Sequence, residues 1–378
     1  MAHHRRWRQA LVRGTRLTLV AVGLAGCAAG PAHPGAARIV AGHDGGAPAI
    51  DAATAFALPG DYARRRLEAS TAQADPKLPS VPGVRLGEFA GHRALLVDTA
   101  DAKAAIALFG GHVLSFVPAG GRDLLWVSSA SRPAPEPIRG GIPVIWPYFG
   151  REGQTADVPA HGLVRTLSWQ VLEVRAEADG SVAIAMAPPA LQGLPLALRM
   201  ELRVGRVLEQ RLVTRNTGAA TVVFSQALHN YLRVGDADAV SVSGVDGLAY
   251  LDKNDDYRRD RQSGDWRLSD APDPGRSDRI YRGGGGVYAL DDPRLDRRIR
   301  LTVEGAGGLV IWNPGEAGAA RAVDLRAMDW HGFVCVEPAN LDVERVALAP
   351  GATHTLVQRL EEVGPLHERR GIEPPEPP

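Results

Sequence analysis

Two histidines and one glutamate stand where their side chains could move protons. His161 lies in PAHGLVR and His229 in QALHNYL, each flanked by apolar residues beside turn or strand signals. Glu337 ends the apolar run Phe333-Val334-Cys335-Val336 and precedes Pro338. A histidine in such a setting is more often a core residue with its hydrogen bonds satisfied than a catalyst. A carboxylate there is harder to account for, because burial costs free energy unless the group is paired or used. One carboxylate and one imidazole suffice for general acid–base chemistry, with unperturbed pKa values of about 4.3 and 6.5.

Other chemistries lack their residues. The chain has no P-loop, no GxGxxG, no GxSxG and no HExxH. Gly283–Gly286 form a glycine run without the phosphate-loop lysine and read as a flexible turn. No His, Asp or Glu cluster has metal-ligand spacing, so neither a metal nor a cofactor is expected. His112, His331 and His354 carry no comparable context. Cys335 reads as an inert buried thiol, placed off the face of Glu337 by strand alternation.

The elements that must position these residues read as β throughout. Over 196–204, Leu196, Leu198, Met200, Leu202 and Val204 alternate with Ala197, Arg199, Glu201 and Arg203. A period of two is the mark of a half-buried strand. Further strands are expected at 104–109, 112–117, 168–174, 181–186, 207–214, 221–227, 298–304, 308–312, 332–337 and 354–360. Turn signals separate them, among them Gly110-Gly111, Asp179-Gly180 and Asn313-Pro314-Gly315. Many short strands with Gly/Pro turns predict an all-β fold, a sandwich or barrel. Two loops break the pattern. Residues 138–150, IRGGIPVIWPYFG, are apolar yet carry two prolines, which suits a site-lining loop better than a central strand. Residues 252–286 are long and charged and read as a partly mobile surface loop.

Lys plus Arg and Asp plus Glu number 43 each, so the formal net charge is zero. That removes the electrostatic case for nucleic acid and for a polybasic membrane surface. Two cysteines, Cys27 and Cys335, cannot build a disulfide scaffold. Residues 1–26 read as a signal peptide: a basic stretch without acids, the apolar run LTLVAVGLAG over 17–26, then Cys27. Leu24-Ala25-Gly26-Cys27 looks like a bacterial lipobox, which would lipidate Cys27 and place the chain in the cell envelope, facing the periplasm or exterior. Residues 27–82 are Ala/Gly/Pro-rich and are expected to form a flexible tether, with a short helix possible after residue 60. The folded body is expected over 83–363 and a disordered tail over 364–378.

Six segments in order carry a family likeness: RGGIPVIWPYFG (139–150), HGLVRTLSW (161–169), ALHNYLRVGD (227–236), DRIY (278–281), WNPG (312–315) and FVCVEPAN (333–340). Together they resemble the aldose 1-epimerase family, in its branch of hexose-6-phosphate mutarotases. The resemblance implies a large antiparallel β-sandwich of the galactose mutarotase kind and an isomerase needing no cofactor. It implies that His229 and Glu337 are catalytic and that His161 is a second active-site histidine. Asp278 falls where a sugar-binding aspartate is expected, and Arg139 and Arg165 match arginines that meet the 6-phosphate. The chain departs from the usual pattern at Leu163-Val164, where Phe-Ala is common, and at Asn230-Tyr231, where Thr-Tyr is.

In the implied reaction the sugar ring opens, the C1–C2 bond rotates and the ring recloses with C1 inverted. Glu337 is expected to take the C1 hydroxyl proton and a protonated His229 to supply one to the ring oxygen. Trp146, Tyr148 or Phe149 is expected to stack on the sugar. The partner is then a small sugar or sugar phosphate, bound by a monomer whose membrane contact is the lipid alone. A non-catalytic carbohydrate-binding lipoprotein and a mutarotase of unphosphorylated aldoses are the alternatives. Glycoside cleavage needs two opposed carboxylates, and only Glu337 stands out.

Overall fold

The structure, a computed structural model, describes residues 38–39, 53–69, 76, 78–155, 157–270, 274–283, 285–364 and 366. The stretch expected to be a signal peptide, Cys27 and most of the tail lie outside the described residues. Two eight-stranded antiparallel sheets dominate. The first runs Ser241–Ser243, Gly286–Asp292, Arg297–Glu304, Thr353–Glu362, Leu208–Asn216, Leu196–Val204, Val182–Ala187, Gln170–Ala176. The alternation read over 196–204 appears as a strict in–out burial pattern on that strand. Its outward residues form ion pairs, Arg211 with Glu201 across to the neighbouring strand at 3.6 Å and Arg199 with Glu201 along the same strand at 3.0 Å. That charged face is ordinary solvent-side pairing, each exposed pair worth little.

The second sheet runs Arg258–Arg261, Ala249–Asp252, Ser277–Arg282, Gly308–Asn313, Phe333–Asn340, Gln226–Leu228, Val144–Ile145, with Tyr231–Arg233 also paired to Phe333–Asn340. Phe333–Asn340 is buried along its whole length because it has neighbours on both edges and both faces are covered. Val144–Ile145 is a two-residue edge strand between Pro143 and Pro147, where missing N–H donors cost least. A four-stranded sheet, Val84–Phe89 to His112–Pro118, packs beside these, and Val346–Leu348 sits between Arg38–Ile39 and Val222–Phe224. Among the described residues no helix is long and apolar enough to cross a membrane.

The structure differs from the sequence reading in places. Residues 252–286 are not a surface loop throughout. They include strands Arg258–Arg261 and Ser277–Arg282, and Trp266 and Leu268 are buried core. The polar letters there misled because Arg258–Arg261 is an edge strand exposed at every residue, with no period of two to detect. The run expected at 221–227 is split into Val222–Phe224 and Gln226–Leu228, in different sheets. Part of the stretch expected to be tether is packed: helix Tyr62–Glu68 forms, and Phe56, Tyr62 and Ala69 are buried.

Candidate active site

The second sheet sets the site by register. Ala227 faces Ala339 and Tyr231 faces Cys335 across one antiparallel pair, so His229 falls directly opposite Glu337. The ladder is interrupted there, between Gln226–Leu228 and Tyr231–Arg233. The His229 N–H turns away to the Pro143 carbonyl, 3.1 Å, and the Val336 N–H reaches the Asn230 carbonyl, 3.2 Å. Residues directly opposite share a face, as do residues two apart on a strand. One row therefore holds Asp278, Trp312, Cys335 and Tyr231, and the next holds Ile280, Val310, Glu337 and His229.

Contacts agree with that grid. The His229 Nε2 lies 3.3 Å from a Glu337 carboxylate oxygen, and its ring stacks on Tyr231 at 4.8 Å. Trp312 stands edge-on to His229 at 5.9 Å, and His161 at 6.0 Å. Glu337 is 1% exposed. Both its oxygens and His229 Nδ1 lack a hydrogen-bond partner among the described residues. The grid also corrects the sequence reading of Cys335: two residues from Glu337 means the same face, and its sulfur lies within 4.8 Å of the His229 and Glu337 ligand atoms.

Burial reverses the proton positions expected from unperturbed values. The Glu337 carboxyl is pushed well above the usual range, first by burial and then by the charge of Asp278, with Lys253 opposing. His229 is pulled well below its usual value by burial, then by His161, Arg139 and Arg165. His161 is lowered likewise by burial and by Arg165, Lys253 and Arg139. Both imidazoles are therefore neutral near pH 7, in contrast to the protonated His229 expected from the sequence.

Two loops zip together to carry the remaining residues. The His161 N–H donates to the Gly150 carbonyl at 2.6 Å and the Leu163 N–H to the Trp146 carbonyl at 2.9 Å. Between them His161 has φ +64° and Gly162 φ +78°. A Cβ at Gly162 would stand 2.0 Å from the Trp146 carbonyl oxygen, so only glycine fits after His161. Gly141 does the same for Arg139, where a Cβ would meet the Val113 carbonyl oxygen at 2.4 Å. Arg139 is gripped by Asp324 through Nε (3.0 Å) and Nη2 (3.1 Å), and its Nη1 donates to the Tyr231 hydroxyl at 2.8 Å. Arg165 donates only to the Ala160 carbonyl, 3.0 Å, and has no carboxylate partner among the described residues. Burial lowers its pKa to about 10, and the like charge of Arg139 pulls the same way.

Of the sequence-predicted residues, His161, His229 and Glu337 gather at one place, and Arg139 joins them through the Tyr231 hydroxyl. Arg165 is close enough for its charge to act on both histidines. Asp278 sits in the next row and pairs with Lys253 at 3.2 Å. Two of the three expected sugar-stacking aromatics do not reach the site. Trp146 is buried with its indole N–H on the Thr214 hydroxyl at 3.0 Å, and the Tyr148 ring stacks on Phe56. Phe149 does face the site, 4.9 Å edge-on to His161. Sequence reasoning missed Trp312 as a platform, although WNPG was in view, and missed Lys253 and Asp324.

An antiparallel sandwich that holds a buried carboxylate on a central strand opposite an imidazole is equipped to move protons. The aldose 1-epimerase family model matches residues 93–361, and the chain belongs to that family. An Escherichia coli K12 protein named "Putative glucose-6-phosphate 1-epimerase" is 34% identical over 254 residues, 65% of this chain and 82% of that one. A protein of the same name from Cenchrus ciliaris is 29% identical, covering 66% of this chain and 78% of that one. A crystal structure of a "putative mutarotase" from Salmonella typhimurium superposes with TM-score 0.68 at 26% identity, covering 76% of this chain and 96% of that chain. The protein is an isomerase of the epimerase type.

Proposed function

We propose that this protein interconverts the α and β anomers of a hexose 6-phosphate such as glucose 6-phosphate. The observation that carries the phosphate is Arg165: a half-buried guanidinium near a second arginine, with only a carbonyl to donate to among the described residues. Arginine's planar fork suits phosphate, and Arg139 keeps free N–H groups on Nη1 and Nη2. Asp324 holds the other edge of Arg139 and so aims it. The names of the relatives point to the same substrate.

In the proposed mechanism Glu337 and His229 hold one proton between them. With the sugar's C1 hydroxyl on Glu337 and its ring oxygen toward His229, the proton rests on His229. Glu337 then takes the hydroxyl proton as His229 delivers its own to the opening ring, and reclosure on the other face of C1 reverses both transfers. Such a coupled pair titrates as a unit, so pH–rate limbs belong to the pair. His161 supports charge near the ring oxygen. Trp312 and Phe149 offer apolar faces to the ring.

Saturation-transfer NMR on glucose 6-phosphate and on free glucose tests this. Wild type should favour the phosphorylated sugar. Arg165→Ala and Arg139→Ala should each lose about one to two decades on it, at roughly 1.5–3 kcal/mol per charged hydrogen bond, while keeping the rate on glucose. Glu337→Gln and His229→Asn should lose about 10²-fold or more on both. Equal wild-type rates on the two sugars would overturn the phosphate reading and leave a mutarotase of free aldoses. Export, if the N-terminal stretch is the signal peptide its composition suggests, would favour that second reading, since hexose phosphates are cytoplasmic metabolites.

We also propose that Cys27 is lipidated and anchors the chain in the cell envelope, on the strength of the basic, apolar and small-residue order before it. Cys27→Ser should abolish labelling by a radioactive fatty acid and release the protein from membranes. An unlabelled, soluble wild type would sink the idea.

A further inference from the structure

We propose that His229, Cys335 and Glu337 form a binding site for a thiophilic divalent cation such as Zn²⁺, and that the occupied site is catalytically silent. The proposal shares two residues with the acid–base pair but does not depend on the substrate.

The geometry starts from the register grid. His229 and Glu337 face each other across one strand pair, and Cys335 stands two residues before Glu337 on the same face. Their imidazole nitrogen, carboxylate oxygen and sulfur all lie within 4.8 Å of one another. The His229–Glu337 separation is 3.3 Å, yet neither Glu337 oxygen is aligned with any donor as a hydrogen bond. Zinc binds nitrogen and oxygen at about 2.0–2.2 Å, so two such ligands at a tetrahedral angle stand about 3.3–3.5 Å apart. The pair is thus spaced as a metal bite. The carboxylate itself points to a ligand: Glu337 is 1% exposed, and both its oxygens are unpartnered among the described residues. Three protein ligands leave a fourth tetrahedral position, as in catalytic zinc sites.

The ligand types choose the metal. A thiolate, an imidazole and one carboxylate suit zinc or cobalt and not magnesium or calcium, which prefer oxygen. Binding a divalent ion releases the thiol proton and the one proton held by the pair, two in all, and the two anionic ligands balance the metal's charge. Around them Arg139, Arg165 and Lys253 are set against Asp324 and Asp278. Occupancy silences the enzyme because the nitrogen and oxygen that move protons become metal ligands.

The test uses the full chain with Co²⁺ and Zn²⁺ as probes. One equivalent of Co²⁺ should give a near-ultraviolet thiolate-to-cobalt charge-transfer band, which Zn²⁺ should displace. Zn²⁺ should also stop mutarotation, and a chelator should restore it. Cys335→Ala should lose the band and weaken Zn²⁺ inhibition at least tenfold, each variant scored against its own metal-free rate. Cys335→Ser, nearly the same shape, is the second variant should alanine fail to fold. The half-exposed cluster Asp236, Asp238 and His331 is the competing site, and His331→Ala should leave band and inhibition as in wild type. No band in wild type, or Zn²⁺ inhibition equal in wild type and the Cys335 variants, overturns the proposal. The cobalt band is read without turnover, so it stands or falls apart from the sugar reaction.

Discussion

Lys253 shows how much one residue beside the proton pair can decide. It follows strand Ala249–Asp252, pairs with Asp278 at 3.2 Å and lies 6.0 Å over the Phe149 ring. Burial alone would lower its ammonium, but Asp278 holds its pKa up, so it stays charged. That charge is what opposes burial and Asp278 in raising Glu337. Lys253→Met removes the opposition and leaves Asp278 unpaired. Both changes raise Glu337 further and reduce its ionised fraction at any given pH. The acid limb of kcat/KM should therefore move to higher pH, and Lys253→Arg should restore it. A profile unmoved in Lys253→Met would show that the cation does not act on Glu337. Lys253 could not be found in the sequence because it sits among charged letters that read as solvent-facing. Glu337 could, because a carboxylate stands out in an apolar run. His229 was marked by the same contrast, with the resemblance adding its role. Strand alternation puts Cys335 on the face of Glu337 and not off it, and the WNPG motif signals a turn without showing that Trp312 faces His229.

At the scale of elements, the active face depends on a break in pairing at His229-Asn230, and the break is pinned from the opposite face of the sheet. The Asn230 side-chain amide donates to the Val336 carbonyl at 2.9 Å and to Gln358 Oε1 at 2.8 Å. Gln358 donates back to Asn230 Oδ1 at 2.9 Å and to Gln210 Oε1 at 3.0 Å. Gln358 and Gln210 belong to the first sheet, so this buried amide chain ties the two sheets together behind the catalytic face. Such networks are rigid when every member is satisfied and costly when one is removed. Gln358→Leu orphans groups on both neighbours at about 1–3 kcal/mol each. Urea unfolding should show a loss of roughly 2–6 kcal/mol on that basis, with kcat reduced more than KM as His229 shifts. A loss under about 0.5 kcal/mol, the level of a neutral surface change, would remove the network from the account. Sequence periodicity found the long strands of the first sheet, where one face is wet and the other dry. It did not find this network, because Asn230, Gln210 and Gln358 look alike whether they face water or each other.

At the scale of the whole molecule, the segment before the body acts as a strap over the loops that carry the site. Thr54 and Val223 exchange hydrogen bonds, at 3.0 and 2.9 Å. The Phe56 N–H donates to Gln154 Oε1 at 2.8 Å and its ring stacks on Tyr148, while the Tyr62 and Thr166 hydroxyls meet at 2.8 Å. Arg66 reaches the Pro135 carbonyl at 3.2 Å and Glu136 at 3.1 Å. Among these anchor points Glu136 lies close to Arg139 in the chain, Thr166 follows Arg165 directly, and Gln154 lies in the loop between Gly150 and His161. Their composition, rich in Ala, Gly and Pro nearby, gave no sign of this, since two aromatics spaced six apart form no period. Burying Phe56 and Tyr62 favours docking by about 1.5–3 kcal/mol each, against the cost of ordering the strap. The net effect on global stability is therefore small, and the larger effect falls on the loops. A chain lacking residues 53–69 should melt a few degrees lower, at about 2–4 °C per kcal/mol for a body of this size. Its KM for a hexose phosphate should rise severalfold, because Arg165 is adjacent to Thr166 and loses its brace. Its kcat should change less, since Glu337 on its central strand and His229 in the break opposite it take part in none of those strap contacts. If KM and Tm both match the intact chain, the strap is only the route from the body to the N-terminus; if kcat falls as far as KM rises, the strap supports the catalytic strands as well as the loops.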